Sequence, residues 1–431
     1  MLTDKQLLRV LALCASFITF LLVYSAASIA QFDSSARLIS DSVLAQSLLR
    51  WDVFYFLRNA EQSYTYENEW AFFRALPALM KNLSRVPAFL GISDADSATA
   101  IVLCGSLATI AVSSQSACVL YDLTLEHFGS RKYAMTTALL SLLPSSPATF
   151  YLAPNNEPFF TYLAYQGMLC CAQSNWLTAA MWFTLASNFR SNGVLLSGFI
   201  IWGQIIEPLL SAKTIRISAI PTTILYTISI FMPFAAHNTR AYKAFCVEAY
   251  YHSPPWCEST PPMIYSYVQS KYWDVGFLRY WTKEQIPNFI IALPPLLVIF
   301  AFSGCNLYHA FLPRFRAFLV GNPPSSTPIP KQNHKQEQKQ KEKQQSHHAS
   351  RPYKTHSITP HAIFAVIFGS TLVFAAHIQI VLRLAASMPI TYWAAAWLLV
   401  DHAAAGRWWV GWSVMWGSVS ALLWGAFLPP A

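Results

Sequence analysis

Long apolar runs that are almost free of charged residues limit the folds open to this chain more than any other feature. The first two runs are residues 7–30 and 98–121. About 20 consecutive apolar residues cross the hydrocarbon core of a bilayer as a helix. Backbone polar groups in lipid have no water to bind, and a helix satisfies them within one segment. The runs therefore predict an all-α polytopic membrane protein.

The composition agrees with this prediction. Of the 431 residues, 54% are hydrophobic and only 11% are charged, whereas a soluble globular protein carries about 25% charged residues. So few charges could hardly cover a water-soluble surface, and most of the surface is predicted to face lipid. The formal net charge of +9 is concentrated in short loops and one Lys-rich insert. Orientation in a membrane explains it more simply than nucleic-acid binding does.

Nine to eleven transmembrane helices are predicted, because several apolar runs in the middle of the chain are short. Proline interrupts helices, so Pro144, Pro147, Pro154 and Pro158 are expected to kink or break the third and fourth spans. The candidate spans are residues 7–30, 98–121, 133–153, 158–172, 176–189, 193–206, 217–236, 287–312, 361–382, 389–400 and 408–428.

The basic residues predict a cytoplasmic N-terminus, since Lys and Arg accumulate in short cytoplasmic loops. With eleven spans, this orientation places the short connections that carry Arg131-Lys132, Lys213, Arg216 and Arg407 on the cytoplasmic side. The alternation of the spans then sends two long segments to the lumen. Both segments are rich in aromatic residues, Arg and Glu, a composition typical of helices that lie in the membrane interface.

The predicted domain organisation follows from these spans. Residues 1–312 form an N-terminal transmembrane catalytic module with luminal loops 31–97 and 237–286. Residues 313–358 are a basic cytoplasmic loop, and its Lys/Gln/His-rich part has almost no apolar residues, so it is predicted to be disordered. Residues 359–431 are C-terminal transmembrane helices of the same domain.

Two predicted features, a disulfide and an N-glycosylation site, require that these loops lie in the lumen. Cys246 and Cys257 lie in one polar loop, and an oxidising lumen makes them candidates for a disulfide or leaves them as free thiols. The other cysteines fall largely in or beside apolar runs, where a buried thiol is expected. Asn82-Leu83-Ser84 is a candidate N-glycosylation site.

Asp52 is the candidate catalytic residue. It lies in a polar, aromatic-rich segment, residues 49–77, between the first two apolar runs. An acid just beyond a membrane-spanning helix is close to the head groups of lipid-borne substrates, and a carboxylate in a dry cleft can act as a general base. Trp51 beside it is suited to the interface. The alternative is an Asp that is exposed to water or caps a helix.

Two further carboxylates in the first loop, Glu67 and Glu69, have two interpretations. They supply a second acid to the site, or they pair with Arg58 or Arg74.

The pair Asp94-Ala95-Asp96 is similar to the paired aspartates that hold a divalent cation in nucleotide-sugar transferases. It immediately precedes an apolar run, however, where acids more simply begin a helix. The sequence has no Gly-rich phosphate loop and no His/Cys metal cluster. A reaction without a metal or cofactor is therefore expected.

Polar residues also occur where later apolar runs meet the predicted lumen: Glu157, Arg190 with Asn192, and Arg383. Ionisable groups in a membrane are costly and are commonly paired or functional. Glu157 and Arg190 are candidates for a structural ion pair. Alternatively, an Arg binds a phosphate, because its planar guanidinium matches the phosphate oxygens.

Several blocks of polar and aromatic residues lie in order along the chain, and together they resemble the PIG-V family, GPI mannosyltransferase 2. The match covers most of the chain apart from the Lys/Gln-rich insert, and it is the ordered set that is specific. The blocks are Leu49-Arg50-Trp51-Asp52, Tyr55 to Glu61, Tyr66-Glu67, Ser146-Pro147-Ala148 with Glu157, Arg190-Ser191-Asn192-Gly193, Pro255-Trp256-Cys257, Tyr265 to Ser270, Gly276 to Trp281, Gln285 to Phe289, and Pro389 with Tyr392-Trp393.

The resemblance implies a multi-span glycosyltransferase of the GT-C class in the endoplasmic reticulum membrane. The implied donor is dolichyl-phosphate mannose, and the implied acceptor is the mannosyl-glucosaminyl-phosphatidylinositol precursor, which receives its second mannose through an α-1,6 linkage. Some fungal members need a small membrane subunit, which is a candidate partner here, whereas nucleic acid is not.

The implied reaction is inverting. Asp52 removes the proton from the acceptor's 6-hydroxyl, and a cation stabilises the departing dolichyl phosphate, with Arg190 preferred over Arg383. The predicted substrate-binding residues are Trp51, Glu67, Glu69, Glu157, Arg190, Asn192, Arg383, Tyr392 and Trp393. Two alternatives stay open: another enzyme that uses a dolichol-phosphate sugar, and a multi-span transporter. Transporters commonly contain internal repeats, and no repeat is evident in this sequence.

Overall fold

The structure is a computed structural model that describes residues 2–29, 31–248, 254–321 and 351–429. These residues form helices joined by turns, which confirms the all-α prediction. The segment predicted to be disordered, residues 331–348, lies outside the described residues.

The described residues form the following α-helices along the chain. In order they are α1 (Asp4–Ala27), α2 (Val43–Leu48), α3 (Asp52–Gln62), α4 (Ala75–Phe89), α5 (Ala98–Phe128), α6 (Arg131–Leu140), α7 (Pro147–Tyr151), α8 (Asn156–Ala172), α9 (Trp176–Ser187), α10 (Ser197–Ile201), α11 (Glu207–Leu210), α12 (Ala219–Tyr242), α13 (Ile264–Tyr272), α14 (Ile286–Asn306), α15 (Leu312–Leu319), α16 (Thr359–Ala375), α17 (Val381–Leu384), α18 (Pro389–Asp401) and α19 (Ala403–Gly425).

Six helical segments within the described ranges are long and apolar enough to cross a membrane, which makes this a multi-pass membrane protein. The number is lower than the nine to eleven predicted, partly because some apolar runs form shorter helices, such as α9 with 12 residues and α18 with 13. The six segments are Asp4–Ala27, Ala98–Phe128, Ser191–Leu210, Ala219–Val247, Lys283–Leu319 and His356–Ala375.

The candidate span over residues 133–153 is broken, as its prolines led us to expect. Helix α6 ends at Leu140, and α7 begins only at Pro147. Pro144 lies in the break, where its missing N–H does no harm, and Pro147 takes the first position of α7, which suits proline. Pro158 does not break α8, because it falls in the first turn of that helix. A second turn, residues 152–155, follows α7, and α8 then begins at Asn156, next to Glu157.

The segment predicted as a loop over residues 313–358 is helical at its beginning. The helical segment that contains α14 continues through α15 to Leu319. There, Arg314 Nη2 lies 2.6 Å from Glu207 Oε1, an ion pair that fixes this helical extension. The far side of the insert is anchored too, because Asn306 Nδ2 donates hydrogen bonds to the carbonyl oxygens of Tyr353 (2.8 Å) and Thr355 (3.0 Å).

Two hydrophobic clusters organise the bundle. The larger one packs residues of α5, α8, α9, α14, α16 and α18 together. The smaller one joins α1, the α2–α3 segment, α4, α5, α7 and α19, with Val23, Leu49, Val53, Leu76 and Trp424 buried in it. The smaller cluster matters for function, because it surrounds the start of α3, where Asp52 lies.

Candidate active site

Asp52 is the first residue of α3. A carboxylate at this position is favoured by the partial positive charge of the helix N-terminus. The next turn of the helix is anchored in the core by Val53 and Phe56, which are 0% and 1% exposed. The residue before it, Trp51, has φ 50° and ψ −118°. This is an uncommon conformation for a bulky side chain and indicates local backbone strain.

Four charged side chains that the sequence analysis singled out separately meet in one ion-pair network. Arg383 Nη2 lies 2.7 Å from Asp52 Oδ2 and 2.7 Å from Glu157 Oε1. Arg190 Nη1 lies 2.7 Å from the same Glu157 oxygen. We call Asp52, Glu157, Arg190 and Arg383 the charged network. Its members come from the starts of α3 and α8, the turn after α9, and α17, so the site lies where helices begin or end.

Exposure differs sharply across the charged network. The Glu157 side chain is 1% exposed, whereas those of Arg383, Arg190 and Asp52 are 17%, 23% and 25% exposed. Glu157 therefore acts as the buried centre of the network, and Asp52 is its more accessible carboxylate. Burial of Arg383 by itself lowers its pKa, but Glu157 and Asp52 raise that pKa overall, so the guanidinium stays charged.

The network carries unused hydrogen-bonding capacity. Glu157 Oε2 and the Nε atoms of Arg190 and Arg383 are buried, and none of them has a hydrogen-bond partner among the described residues. The same holds for the side-chain amide of Asn155, which precedes α8. Buried polar atoms are usually paired. A concentration of unpaired ones beside an accessible acid is typical of a site that binds a polar ligand.

The turn that carries Arg190 is shaped by tight packing. A Cβ on Gly193 would lie 2.5 Å from the Cα of Ser187, so only glycine fits there. Ser191 Oγ donates a hydrogen bond to the Tyr265 hydroxyl at 2.7 Å, which ties the turn to α13. Asn192, a predicted substrate-binding residue, lies in the same turn, and its Nδ2 is buried without a partner among the described residues.

Glu67 and Glu69 make contacts that hold the loops in place. Glu67 accepts hydrogen bonds from Trp256 Nε1 at 3.0 Å and from the Tyr272 hydroxyl at 2.8 Å, and so joins the two long loops. Glu69 accepts from Arg58 Nε at 2.6 Å, which is the pairing that the sequence analysis left open. Glu69 also accepts two backbone N–H bonds within its own turn. These contacts give both carboxylates a structural role, and the substrate contact predicted for them stays a prediction.

Tyr392 and Trp393 lie in the helix-packed core instead of the charged network. Trp393 is 0% exposed, and its Nε1 donates a hydrogen bond to Thr124 Oγ1 at 2.8 Å. Tyr392 is 4% exposed and lines a small internal cavity of about 10 Å³ together with Tyr151 and Tyr165. Trp393 thus has a packing role in this structure, and the substrate contact predicted for it stays a prediction.

The remaining predicted features lie in the two long loops. Cys246 and Cys257 are joined by a disulfide with their Cα atoms 5.7 Å apart. Asn82 is exposed on α4, where glycosylation stays a prediction. Asp96 pairs with Lys81 and is 74% exposed, so this acid is engaged outside the charged network.

Two contributions to the site escaped the sequence analysis. His377 Nε2 contacts the Trp273 carbonyl oxygen at 2.7 Å, which links the second long loop to the segment just before Arg383. The Phe427 ring lies against Trp51, with ring centroids 5.5 Å apart. The polar His377 at the end of an apolar run was a usable signal for the first contact. Nothing in the sequence pattern connects Phe427 with a residue near the opposite end of the chain.

The fold and the charged network together define a multi-span membrane protein with an accessible acid bonded to Arg383 where helices begin and end. Comparison with known proteins narrows this class. The family model described as Mannosyltransferase (PIG-V) matches residues 7–431. The chain therefore belongs to the PIG-V family of mannosyltransferases, which confirms the resemblance seen in its sequence blocks, and it is a glycosyltransferase.

Individual relatives are similar over most of their length. GPI mannosyltransferase 2 of Cryptococcus neoformans is 30% identical over 98% of this chain and 97% of its own length. GPI alpha-1,6-mannosyltransferase 2 of Rattus norvegicus is 29% identical over 83% of this chain and 74% of its own. Among solved structures, the oligosaccharyltransferase of Archaeoglobus fulgidus in its apo form matches 97% of this chain and 56% of its own at 12% identity, with a TM-score of 0.45.

Proposed function

We propose that this chain is the GPI α-1,6-mannosyltransferase that adds the second mannose to the GPI-anchor precursor. Its relatives bear the names GPI mannosyltransferase 2 and GPI alpha-1,6-mannosyltransferase 2. The observation that carries the proposal is the charged network, in which the predicted base Asp52 is accessible and directly bonded to Arg383. The enzyme is then a multi-pass protein of the endoplasmic reticulum membrane and of the GT-C class, with a cytoplasmic N-terminus and a luminal active face.

The proposed donor is dolichyl-phosphate mannose, and the reaction is a single displacement. Asp52 accepts the proton of the acceptor's 6-hydroxyl, and the resulting oxygen attacks the anomeric carbon of the β-linked mannose. The bond from that carbon to the phosphate oxygen breaks, and dolichyl phosphate leaves with the electron pair. Because attack comes from the opposite face, the configuration inverts and the product is α-linked.

Inversion places the base and the leaving phosphate on opposite sides of the anomeric carbon. Arg383 bonds directly to Asp52 and therefore belongs to the side of the base, where it orients the carboxylate. Arg190 is separated from Asp52 by Arg383 and Glu157. This separation supports Arg190 as the cation that stabilises the departing phosphate.

The reaction is proposed to need neither a metal nor a cofactor, with the lipid-linked donor as a substrate. In support, Asp96 of the Asp94-Ala95-Asp96 segment is paired with Lys81. The proposed partners are membrane lipids and the two lipid-linked substrates. A small membrane subunit is a further proposed partner, as in those fungal family members that need one.

Depletion of the protein followed by identification of the glycolipid that accumulates tests the proposed function. We expect a GPI precursor that carries one mannose. A normal GPI profile together with a truncated N-glycan precursor would instead assign the enzyme to another dolichol-dependent pathway. The alternative that the protein is a transporter is tested by measuring solute flux in vesicles alongside mannose transfer from dolichyl-phosphate mannose.

A further inference from the structure

The segment that leads into Asp52 is held by a buried arginine. Arg50 is 0% exposed. Its Nη1 donates hydrogen bonds to the carbonyl oxygens of Gln46 and, at 2.9 Å, Leu49. Its Nη2 donates to the carbonyl oxygen of Gly425 at 3.1 Å. Gly425 is the last residue of α19. Carbonyls in the last turn of a helix have no partner inside the helix and carry partial negative charge, so a guanidinium satisfies them well.

An aromatic contact reinforces the same junction. Phe427 follows α19 and is 7% exposed. The Arg50 guanidinium carbon lies 4.7 Å from the centre of its ring, within cation–π range. The ring also meets Trp51 edge-on at 5.5 Å and stacks on Phe54 at 5.9 Å. Phe427 therefore touches residues immediately before and shortly after Asp52.

The end of α19 is itself firmly placed, so it can serve as a support. A Cβ on Gly425 would lie 2.4 Å from the Val23 carbonyl oxygen, which means that α19 approaches α1 as closely as glycine allows. Trp424 Nε1 donates a hydrogen bond to the Ser47 carbonyl oxygen at 3.2 Å. A third link joins the Phe32 N–H to the Ala426 carbonyl oxygen at 3.0 Å.

The backbone at Trp51 needs such support. Its φ of 50° is strained for a bulky residue, and strained conformations persist only where the surrounding structure holds them. Asp52 is the very next residue, so any relaxation of Trp51 moves the carboxylate. A displacement of about 1 Å at a reacting group can lower a rate by roughly 100-fold.

We infer that the C-terminal end of α19 positions Asp52 for catalysis, with Arg50 and Phe427 as positioning residues that hold the strained Trp51 junction in its reactive conformation. The inference rests on the proposed function, because it takes Asp52 as the base. It adds a role for a C-terminal residue that touches neither the charged network nor the predicted substrate-binding residues other than Trp51.

The test compares Phe427→Ala, Phe427→Tyr and the unchanged protein, purified as the full chain and assayed for mannose transfer from dolichyl-phosphate mannose. For Phe427→Ala we expect kcat to fall roughly 10- to 100-fold, with the KM values for donor and acceptor changed by less than about threefold. Phe427→Tyr keeps the ring and is expected to restore kcat. Leu422→Ala is the matched control, since Leu422 lies on the same helix and is 42% exposed, and it is expected to keep the kcat of the unchanged protein.

Several outcomes overturn the inference. They are an unchanged kcat in Phe427→Ala, a rise in KM without a fall in kcat, or an equal loss in Leu422→Ala. If Phe427→Ala does not fold, Phe427→Leu preserves most of the volume without the ring, and a normal kcat in that variant counts against the inference. Asp52→Asn is assayed in parallel. An active Asp52→Asn overturns the proposed role of Asp52 together with the inference, whereas an inactive Asp52→Asn beside a fully active Phe427→Ala overturns the inference alone.

Discussion

At the scale of single residues, the charged network balances two carboxylates against two guanidinium groups. One oxygen of the buried Glu157 receives Nη atoms from both Arg190 and Arg383. A buried charge is tolerated when it is paired, but removing one partner leaves the other charges uncompensated. Glu157 is thus the member whose loss leaves two like charges facing each other.

Replacement of Glu157 by Gln is expected to destabilise the protein by roughly 3–5 kcal/mol, the range found when a buried ion pair loses one partner. Thermal unfolding in detergent measures this. The matched control is Asp274→Asn, which removes a carboxylate that is 80% exposed from its pair with Arg279, and exposed pairs contribute about 0–1 kcal/mol. Equal unfolding temperatures for the two variants would contradict the structural role given to Glu157.

The sequence sufficed to nominate the members of the network but not to pair them all. Glu157 with Arg190 was foreseen as one of two interpretations, because both interrupt apolar runs near the same membrane face. The contact between Arg383 and Asp52 joins residues 331 positions apart. A pairing at that separation is decided by how the helices pack, and no local pattern records it. The burial of Trp393 in the core likewise depends on helix packing that the sequence does not record.

At the scale of elements, the site depends on breaks between helices more than on the helices themselves. The turn between α7 and α8 places Glu157 at a helix start, and the turn after α9 brings Arg190 to it. Pro154 and Pro158 predicted the first of these breaks from the sequence, although its extent, from Tyr151 to Asn156, required the structure. The second break depends on Gly193, whose close approach to Ser187 is a packing fact.

Gly193→Ala is expected to displace the Arg190 turn, because the added Cβ would lie 2.5 Å from the Ser187 Cα. Overpacking of this kind costs typically 1–3 kcal/mol, and mannose transfer should fall as Arg190 leaves Glu157. Gly198→Ala is the control on the same helical segment, since a Cβ there meets nothing within 4 Å. Equal unfolding temperatures and equal mannose transfer in Gly193→Ala and Gly198→Ala would contradict the role given to Gly193.

At the scale of the whole molecule, the apolar runs predicted an all-helical membrane protein correctly, but they did not predict how its two ends meet. Helix α19 packs along α1, and its end supports the start of α3, so the first and last parts of the chain build one site. Six helices of the described residues are long and apolar enough to span a membrane, fewer than the nine to eleven runs predicted, since apolarity alone does not reveal where a run is broken. The orientation in the membrane stays a prediction.

The Cys246–Cys257 disulfide gives that orientation a chemical test, because disulfides persist in an oxidising lumen and not in the cytosol. In protein isolated from native membranes and denatured without reductant, we expect these two cysteines to escape alkylation. The free Cys14 should react under the same conditions. Mass spectrometry of the peptides measures the alkylation of each cysteine. Full alkylation of Cys246 and Cys257 would contradict a luminal second loop.

The central claim, that Asp52 is the general base, is tested most directly by the turnover of Asp52→Asn. Asn keeps an oxygen that accepts from Arg383, so the variant should remain folded while losing the proton acceptor. Turnover of dolichyl-phosphate mannose is expected to fall roughly 10²- to 10⁴-fold, whereas Asp41→Asn, the same change at an exposed position of the same loop, should leave it unchanged. An Asp52→Asn enzyme with near-normal turnover would contradict the account.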